Sequence, residues 1–153
     1  MSKEALKEIL KRAIRMEEDS HALYTSASGR LKDPAARAVL ADLASQEVQH
    51  KQKLEALLAG TLSWLKAGGD LAHKGLGIGD HLEAQPLSEG SSLQDVLIYA
   101  IKREEATGSF YSQMATLARP GPEKDLFELL ARQEAGHKSA LERVYETVVY
   151  KEF

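Results

Sequence analysis

The sequence predicts an all-α protein, a four-helix bundle built from two repeated helical hairpins joined by a long crossover. Three observations carry that expectation. Four segments place apolar residues at alternating steps of three and four, the spacing of one helix face. The second half of the chain repeats the first at a displacement of 87 residues. Seven of the eleven glycines (60, 68, 69, 75, 77, 79 and 90) fall between the halves, together with Pro86. No convincing strand competes, and the valine run near 148 is too short to make one.

The first helix is expected over about 2–28, with Gly29 as its C-terminal stop. Asp33-Pro34, a capping side chain followed by proline in the first turn, opens the second helix over about 34–58. The stretch of about 60–91 lacks sustained periodicity and is the expected crossover. Ser92 with Asp95 three residues on resembles a capping box, opening a third helix over about 92–118 that ends before Pro120. Pro122 starts the fourth, over about 122–148. Helices of about 25 residues are roughly 37 Å long, while some 30 extended residues reach about 100 Å. The crossover therefore suffices to join two parallel helices, whereas a simple up-down bundle needs only a few residues there. With 153 residues and 16.8 kDa, the whole of 1–153 is expected to form one domain.

The repeat runs without a gap. Displaced by 87, Ala13-Ile14-Arg15-Met16-Glu17-Glu18 falls on Ala100-Ile101-Lys102-Arg103-Glu104-Glu105, and Tyr24 on Tyr111. In the same register Gln46-Glu47 falls on Gln133-Glu134, His50-Lys51 on His137-Lys138, and Leu54-Glu55 on Leu141-Glu142. One unbroken register across a helical hairpin implies a pseudo-twofold bundle.

The apolar seams are interrupted in the same way. The first reads Leu6, Leu10, Ala13, Glu17, Ser20, Tyr24, Ala27, and the third Leu93, Leu97, Ala100, Glu104, Thr107, Tyr111, Met114. The second reads Ala36, Leu40, Leu43, Glu47, His50, Leu54, Leu57, and the fourth Phe127, Leu130, Glu134, His137, Leu141, Val144. Four glutamates and two histidines thus stand at core positions, where charged groups are rare without partners. Glu17 and Glu47 are each about fourteen residues from the first turn, so antiparallel packing sets them side by side; Glu104 and Glu134 repeat the spacing. All six groups are expected in one layer. No lysine or arginine lies on the seams at that height, so two divalent cations are the expected counter-charge, with the imidazoles completing their shells.

This constellation resembles the dimetal site of the ferritin-like superfamily, and within it the rubrerythrin-like diiron-carboxylate proteins, over nearly the whole chain. The resemblance implies that Glu17 and Glu104 are terminal ligands, Glu47 and Glu134 bridge the metals, and His50 and His137 complete the set. It implies that Tyr24 and Tyr111 hydrogen-bond a ligand carboxylate. It further implies two iron ions cycling between Fe2+ and Fe3+ with an oxo or hydroxo bridge, manganese or zinc being the other metals to consider. The implied activity is reduction of hydrogen peroxide or dioxygen in oxidative-stress protection, with electrons from a separate redox donor protein. A homodimer, with hairpins swapped, is a family possibility. Two other readings stay open: a ferroxidase or iron-handling protein, and a non-redox dimetal-binding module. The chain also departs from the family. It cannot form a cysteine-bound rubredoxin centre, Thr107 stands where rubrerythrins add a carboxylate, and the fifth helix of storage ferritins has no counterpart.

Other features bound the reading. With no cysteine the chain forms no disulfide, thiolate zinc site or cysteine-ligated iron–sulfur centre. A net charge of −3 gives no general attraction to nucleic acid or to an anionic membrane. No apolar run is long enough to span a bilayer, and the charged start lacks a signal peptide, so a cytoplasmic protein is expected. His21, one turn beyond Glu17, is either an extra ligand or proton donor or boundary packing; Gly108 stands opposite it in the repeat. Glu18 and Glu105 lie about 100° off the seams and read as solvated. His73, His81 and Gly75-x-Gly77-x-Gly79 read as exposed linker, and Trp64 with Leu62 and Leu65 as a bundle-end cap or dimer contact.

Overall fold

Polar caps start the helices at the sites the sequence marks. Ser2 Oγ accepts from the Ala5 amide at 3.1 Å, Asp33 Oδ2 from the Ala36 amide at 3.0 Å, and Ser92 Oγ from the Asp95 amide at 3.1 Å. A computed structural model of the chain describes residues 1–66 and 91–151, which form α1 (Lys3–Arg30), α2 (Pro34–Lys66), α3 (Leu93–Leu117) and α4 (Pro122–Lys151). Among the described residues there is no strand, and no helix is long and apolar enough to cross a membrane. Between α3 and α4, Gly121 takes φ 127°, a backbone angle that disfavours any side chain, and its carbonyl accepts from the Asp125 amide at 3.0 Å in the first turn of α4.

Two helix ends differ from expectation. Gly29 does not stop α1, which continues to Arg30 because Ala27 and Leu31 are both buried. The chain leaves the helix at Leu31 (φ −78°, ψ 140°), three residues before Pro34, and the residue preceding a proline is itself disfavoured in helix. Likewise α2 passes Gly60 and runs to Lys66 rather than ending near Leu58. Buried Thr61 returns its hydroxyl to the Leu57 carbonyl at 3.0 Å, and that packing outweighs the ~1 kcal/mol cost of a helical glycine. The crossover expected from residue 60 therefore starts later. His73, His81 and the Gly75–Gly79 stretch lie outside the described residues, as do the side chains of Leu62, Trp64 and Leu65.

Two apolar clusters fill the bundle above and below a polar layer. One joins Leu6 and Leu10 of α1 with Leu54 of α2, Phe110 and Met114 of α3, and Phe127 and Leu130 of α4. The other joins Tyr24 and Ala27 with Leu40 and Leu43, Leu97 and Ala100, and Leu141 and Val144. The start of α1 thus meets the ends of α2 and α3 and the start of α4. Adjacent helices are antiparallel, and α2 and α3 point the same way, which is the arrangement that requires a crossover along the bundle. The largest interfaces lie within the hairpins, α1 on α2 and α3 on α4, and the hairpins meet through α2–α4 and α1–α3.

Candidate metal centre

The layer between the clusters holds all six residues that interrupt the seams. Glu17, Glu47, His50, Glu104, Glu134 and His137 are each at most 3% exposed. Their ligand atoms form two groups of four, Glu17, Glu47, His50 and Glu134 in one, and Glu47, Glu104, Glu134 and His137 in the other, with all atoms of a group within 4.8 Å of one another; a smaller third group joins Glu47 to both histidines. Glu47 and Glu134 belong to both groups of four. His50 Nδ1 stands 2.8 Å from Glu134 Oε1 and 3.5 Å from Glu17 Oε2, and His137 Nδ1 stands 2.9 Å from Glu47 Oε1.

The unpartnered atoms sort themselves by role. Both oxygens of Glu47 and of Glu134 lack a hydrogen bond, as do Glu17 Oε2, Glu104 Oε2 and the Nδ1 atoms of both histidines. Buried polar atoms without partners are costly and uncommon. Eight of them converge here. The shared glutamates keep two free oxygens each, whereas Glu17 and Glu104 keep one each, because a tyrosine takes the other. The donor set therefore fits two cations, with Glu47 and Glu134 able to reach both and one further carboxylate and one imidazole for each.

The tyrosines are exchanged between the hairpins. Tyr111 Oη of α3 donates to Glu17 Oε1 of α1 at 2.6 Å, and Tyr24 Oη of α1 donates to Glu104 Oε1 of α3. Each tyrosine thus serves the other hairpin's glutamate rather than the one seven residues before it. The histidines are exchanged too. His50 Nε2 of α2 meets Gln133 Oε1 of α4 at 2.6 Å, and His137 Nε2 of α4 meets Gln46 Oε1 of α2 at 2.7 Å. An amide oxygen only accepts, so each imidazole donates from Nε2 and turns Nδ1 to the centre. Gln46 and Gln133, which hold the two imidazoles, are site residues the sequence reading did not single out. Their signal was present, since each directly precedes a shared glutamate and both keep the repeat register.

Burial and mutual repulsion set the protonation of the layer. Desolvation, then the charge of Glu17, pushes Glu47 well above the ordinary carboxylate range. Desolvation, then the close approach and charge of Glu104, does the same to Glu134. Burial also acts upward on Glu104, but the close approach of Glu134 and His137 and the Tyr24 hydrogen bond outweigh it and hold that carboxylate below its usual value. Both tyrosines are pushed well up, by burial first and by the neighbouring glutamates second, so they remain O–H donors.

The flanking residues resolve into packing. His21 Nδ1 donates to the Ala44 carbonyl of α2 at 3.0 Å, and His21 is in neither ligand group. Glu18 pairs with Lys51 and Glu105 with Lys138, each at 3.2 Å on the surface, one pair per hairpin in repeat register. A Cβ at Gly108 would meet its nearest atom, Glu134 Cβ, at 3.7 Å, an ordinary contact, so no close approach demands glycine there.

The Rubrerythrin family model matches the chain in two blocks, residues 8–66 and 95–152, which are the two hairpins. Among solved structures the chain is similar to a hypothetical protein from Pyrococcus furiosus, 27% identical, with 97% of this chain and 92% of that one covered and a TM-score of 0.75. No curated protein matches the chain significantly.

Proposed function

The chain belongs to the rubrerythrin family, and from that premise we propose that it is a diiron-carboxylate oxidoreductase that reduces hydrogen peroxide or dioxygen. One observation carries the reading: eight buried, unpartnered ligand atoms fall into two groups that share Glu47 and Glu134. Glu17 and His50 would complete the shell of one metal, and Glu104 and His137 that of the other. Two divalent cations balance four carboxylates and displace the protons that burial otherwise forces onto Glu47 and Glu134. The mixed carboxylate and imidazole set, without thiolate, suits iron or manganese.

Two ferrous ions held there would supply the two electrons that, with two protons, reduce one hydrogen peroxide to two waters. The chain's own residues prepare the site for this. Tyr24 and Tyr111 keep their protons and hold Glu104 and Glu17 by one oxygen, leaving the other aimed inward. Gln133 and Gln46 hold the imidazoles in the tautomer that offers Nδ1. The apolar clusters on either side limit water and the escape of reactive oxygen species. With no cysteine for a redox centre of its own, the chain would take its electrons from a separate donor protein. The reading assigns it to cytoplasmic protection against oxidative stress.

Anaerobic titration with Fe(II), followed by rapid mixing with peroxide or dioxygen in separate runs, tests this. The expected result is two irons per chain and a fast rise in near-ultraviolet absorbance, with the faster oxidant identifying the substrate. Full loading without oxidation would sink the redox proposal in favour of a non-redox dimetal module. Release of Fe(III) on oxidation would make iron itself the substrate.

A further inference from the structure

One set of bonds between the hairpins has no counterpart under the repeat. Arg103, beside Glu104 on α3, donates from Nε to Ser20 Oγ at 3.0 Å and from Nη2 to the Met16 carbonyl at 2.8 Å, both on α1. The residue in Arg103's place in the first hairpin is Met16 itself, which has no donor to return the bond. Ser20's own counterpart, Thr107, turns its hydroxyl inward onto the Arg103 carbonyl at 2.7 Å. The two acceptors on α1 bracket Glu17, with Met16 immediately before it and Ser20 nearly one turn after. The seam they cross, α1–α3, is the least closely packed of the four helix pairs among the described residues, and these bonds add polar ties to its apolar contacts. A guanidinium is a rigid planar fork that fixes two acceptors at once, which a lysine ammonium does not.

We infer that Arg103 is a positioning residue of the metal centre, fixing α1 against α3 at the height of Glu17 and making the two metal positions inequivalent. The inference rests on the dimetal reading above. Tyr111 reaches Glu17 from α3 across the same seam, so a shift of this turn of α1 disturbs both the free oxygen of Glu17 and the bond that aims it. The Glu17–His50 position therefore depends on the fork. Both hairpins pack internally over large interfaces; what sets the positions apart is that the fork's acceptors flank Glu17 itself, whereas α1 reaches the Glu104–His137 position through Tyr24's bond to Glu104.

The test is titration of the metal-free full chain with Co(II), followed by its visible absorption, in wild type, Arg103→Met, Arg103→Lys and Ser20→Ala. Arg103→Met installs the residue of the sister hairpin, and Arg103→Lys keeps the charge without the fork. Both are expected to bind the first ion as wild type does, to bind the second about tenfold more weakly, and to show an altered visible band. Ser20→Ala removes one bond and little bulk. It should shift the second ion in the same direction by less, and it stands in for Arg103→Met should that variant fail to fold. Wild-type affinities and spectrum in Arg103→Met (or in Ser20→Ala, where it stands in), full rescue by Arg103→Lys, or equal weakening of both ions would overturn the inference while leaving two ions in the wild type. Fewer than two ions in the wild type would overturn the dimetal reading and this inference with it.

Discussion

The two hairpins are near copies in what they contribute to the centre and different in how they hold each other. Every candidate ligand, both tyrosines, both glutamines and the surface Glu–Lys pairs keep one register at a displacement of 87 residues. The copies diverge beside and between the ligands. Met16 faces Arg103, Ser20 faces Thr107, and His21 faces Gly108 across the repeat. The first hairpin uses His21 to tie α1 to its own α2, while the second sends Arg103 across to α1. The comparison teaches that a two-metal centre of the proposed kind would constrain residues in pairs, since each candidate ligand has a twin in the same layer. Helix–helix ties need to be made only once, and these are the places where the halves have drifted apart.

The largest break in that symmetry comes from removing a shared carboxylate. Glu47→Ala or Glu134→Ala takes a ligand from both groups at once, so each is expected to abolish two-metal loading. Glu17→Ala or Glu104→Ala should cost chiefly one position. Metal analysis after equilibrium dialysis with Co(II) distinguishes these outcomes, and a Glu47→Ala chain that still holds two ions refutes the bridging assignment.

A pH series probes the same pair. The folded, metal-free chain holds protons on Glu47 and Glu134 to higher pH than the unfolded chain, whose carboxylates titrate near 4.5. Their contribution to stability is complete below that value and is lost as pH rises through the raised folded values. Glu104, held low, acts oppositely: its contribution is present above 4.5 and is lost as pH falls through its lowered value. Thermal midpoints of the metal-free chain should therefore be highest at mildly acidic pH and decline toward pH 8. Metal affinity should climb over that interval by up to about tenfold per pH unit for each proton displaced. A metal-free chain that grows more stable from pH 5 to pH 8 contradicts this account.

Next in size are the exchanged tyrosines. Tyr24→Phe and Tyr111→Phe each leave a buried carboxylate oxygen without its donor, and each is expected to weaken metal binding by roughly 10–100-fold. Similar losses would show that the twofold extends to the outer bonds. A much larger loss for Tyr111→Phe would point to the Glu17 side as the weaker half, measurable by isothermal titration with Co(II).

The smallest effects concern the helical glycines of the second hairpin. Gly136 has open space where a Cβ would stand, and Gly108 offers ordinary contacts. Gly136→Ala and Gly108→Ala should each stabilise the chain by about 0.5–1 kcal/mol, read by urea denaturation. Destabilisation by Gly108→Ala would show that the contact with Glu134 is less tolerant than its 3.7 Å suggests.

Much of the centre was legible because a charged residue on an apolar seam is conspicuous. Glu17, Glu47, Glu104 and Glu134 broke four helical patterns at matching heights, and burial without a counter-charge already called for cations. Gln46 and Gln133 were visible only as repeat matches, since a half-buried glutamine beside a seam looks like any surface amide. Arg103 was hidden by its backbone position off the seam; its long side chain reaches back across α3 to α1. Gly29 reads as a stop and the second helix as ending near Leu58, but burial of Leu31 and Thr61 carries both helices further than local propensity predicts.

The sequence by itself determined the helices, their pairing into two like hairpins, and the six residues that meet in the polar layer, because hydrophobic periodicity and spacing act along one chain. Only the tertiary structure decided which hairpin serves which ligand. Tyr24 reaches Glu104, Tyr111 reaches Glu17, and each histidine leans on a glutamine of the other hairpin. Spacing places a residue on a face of its own helix, but the partner it meets is set by how helices pack side by side.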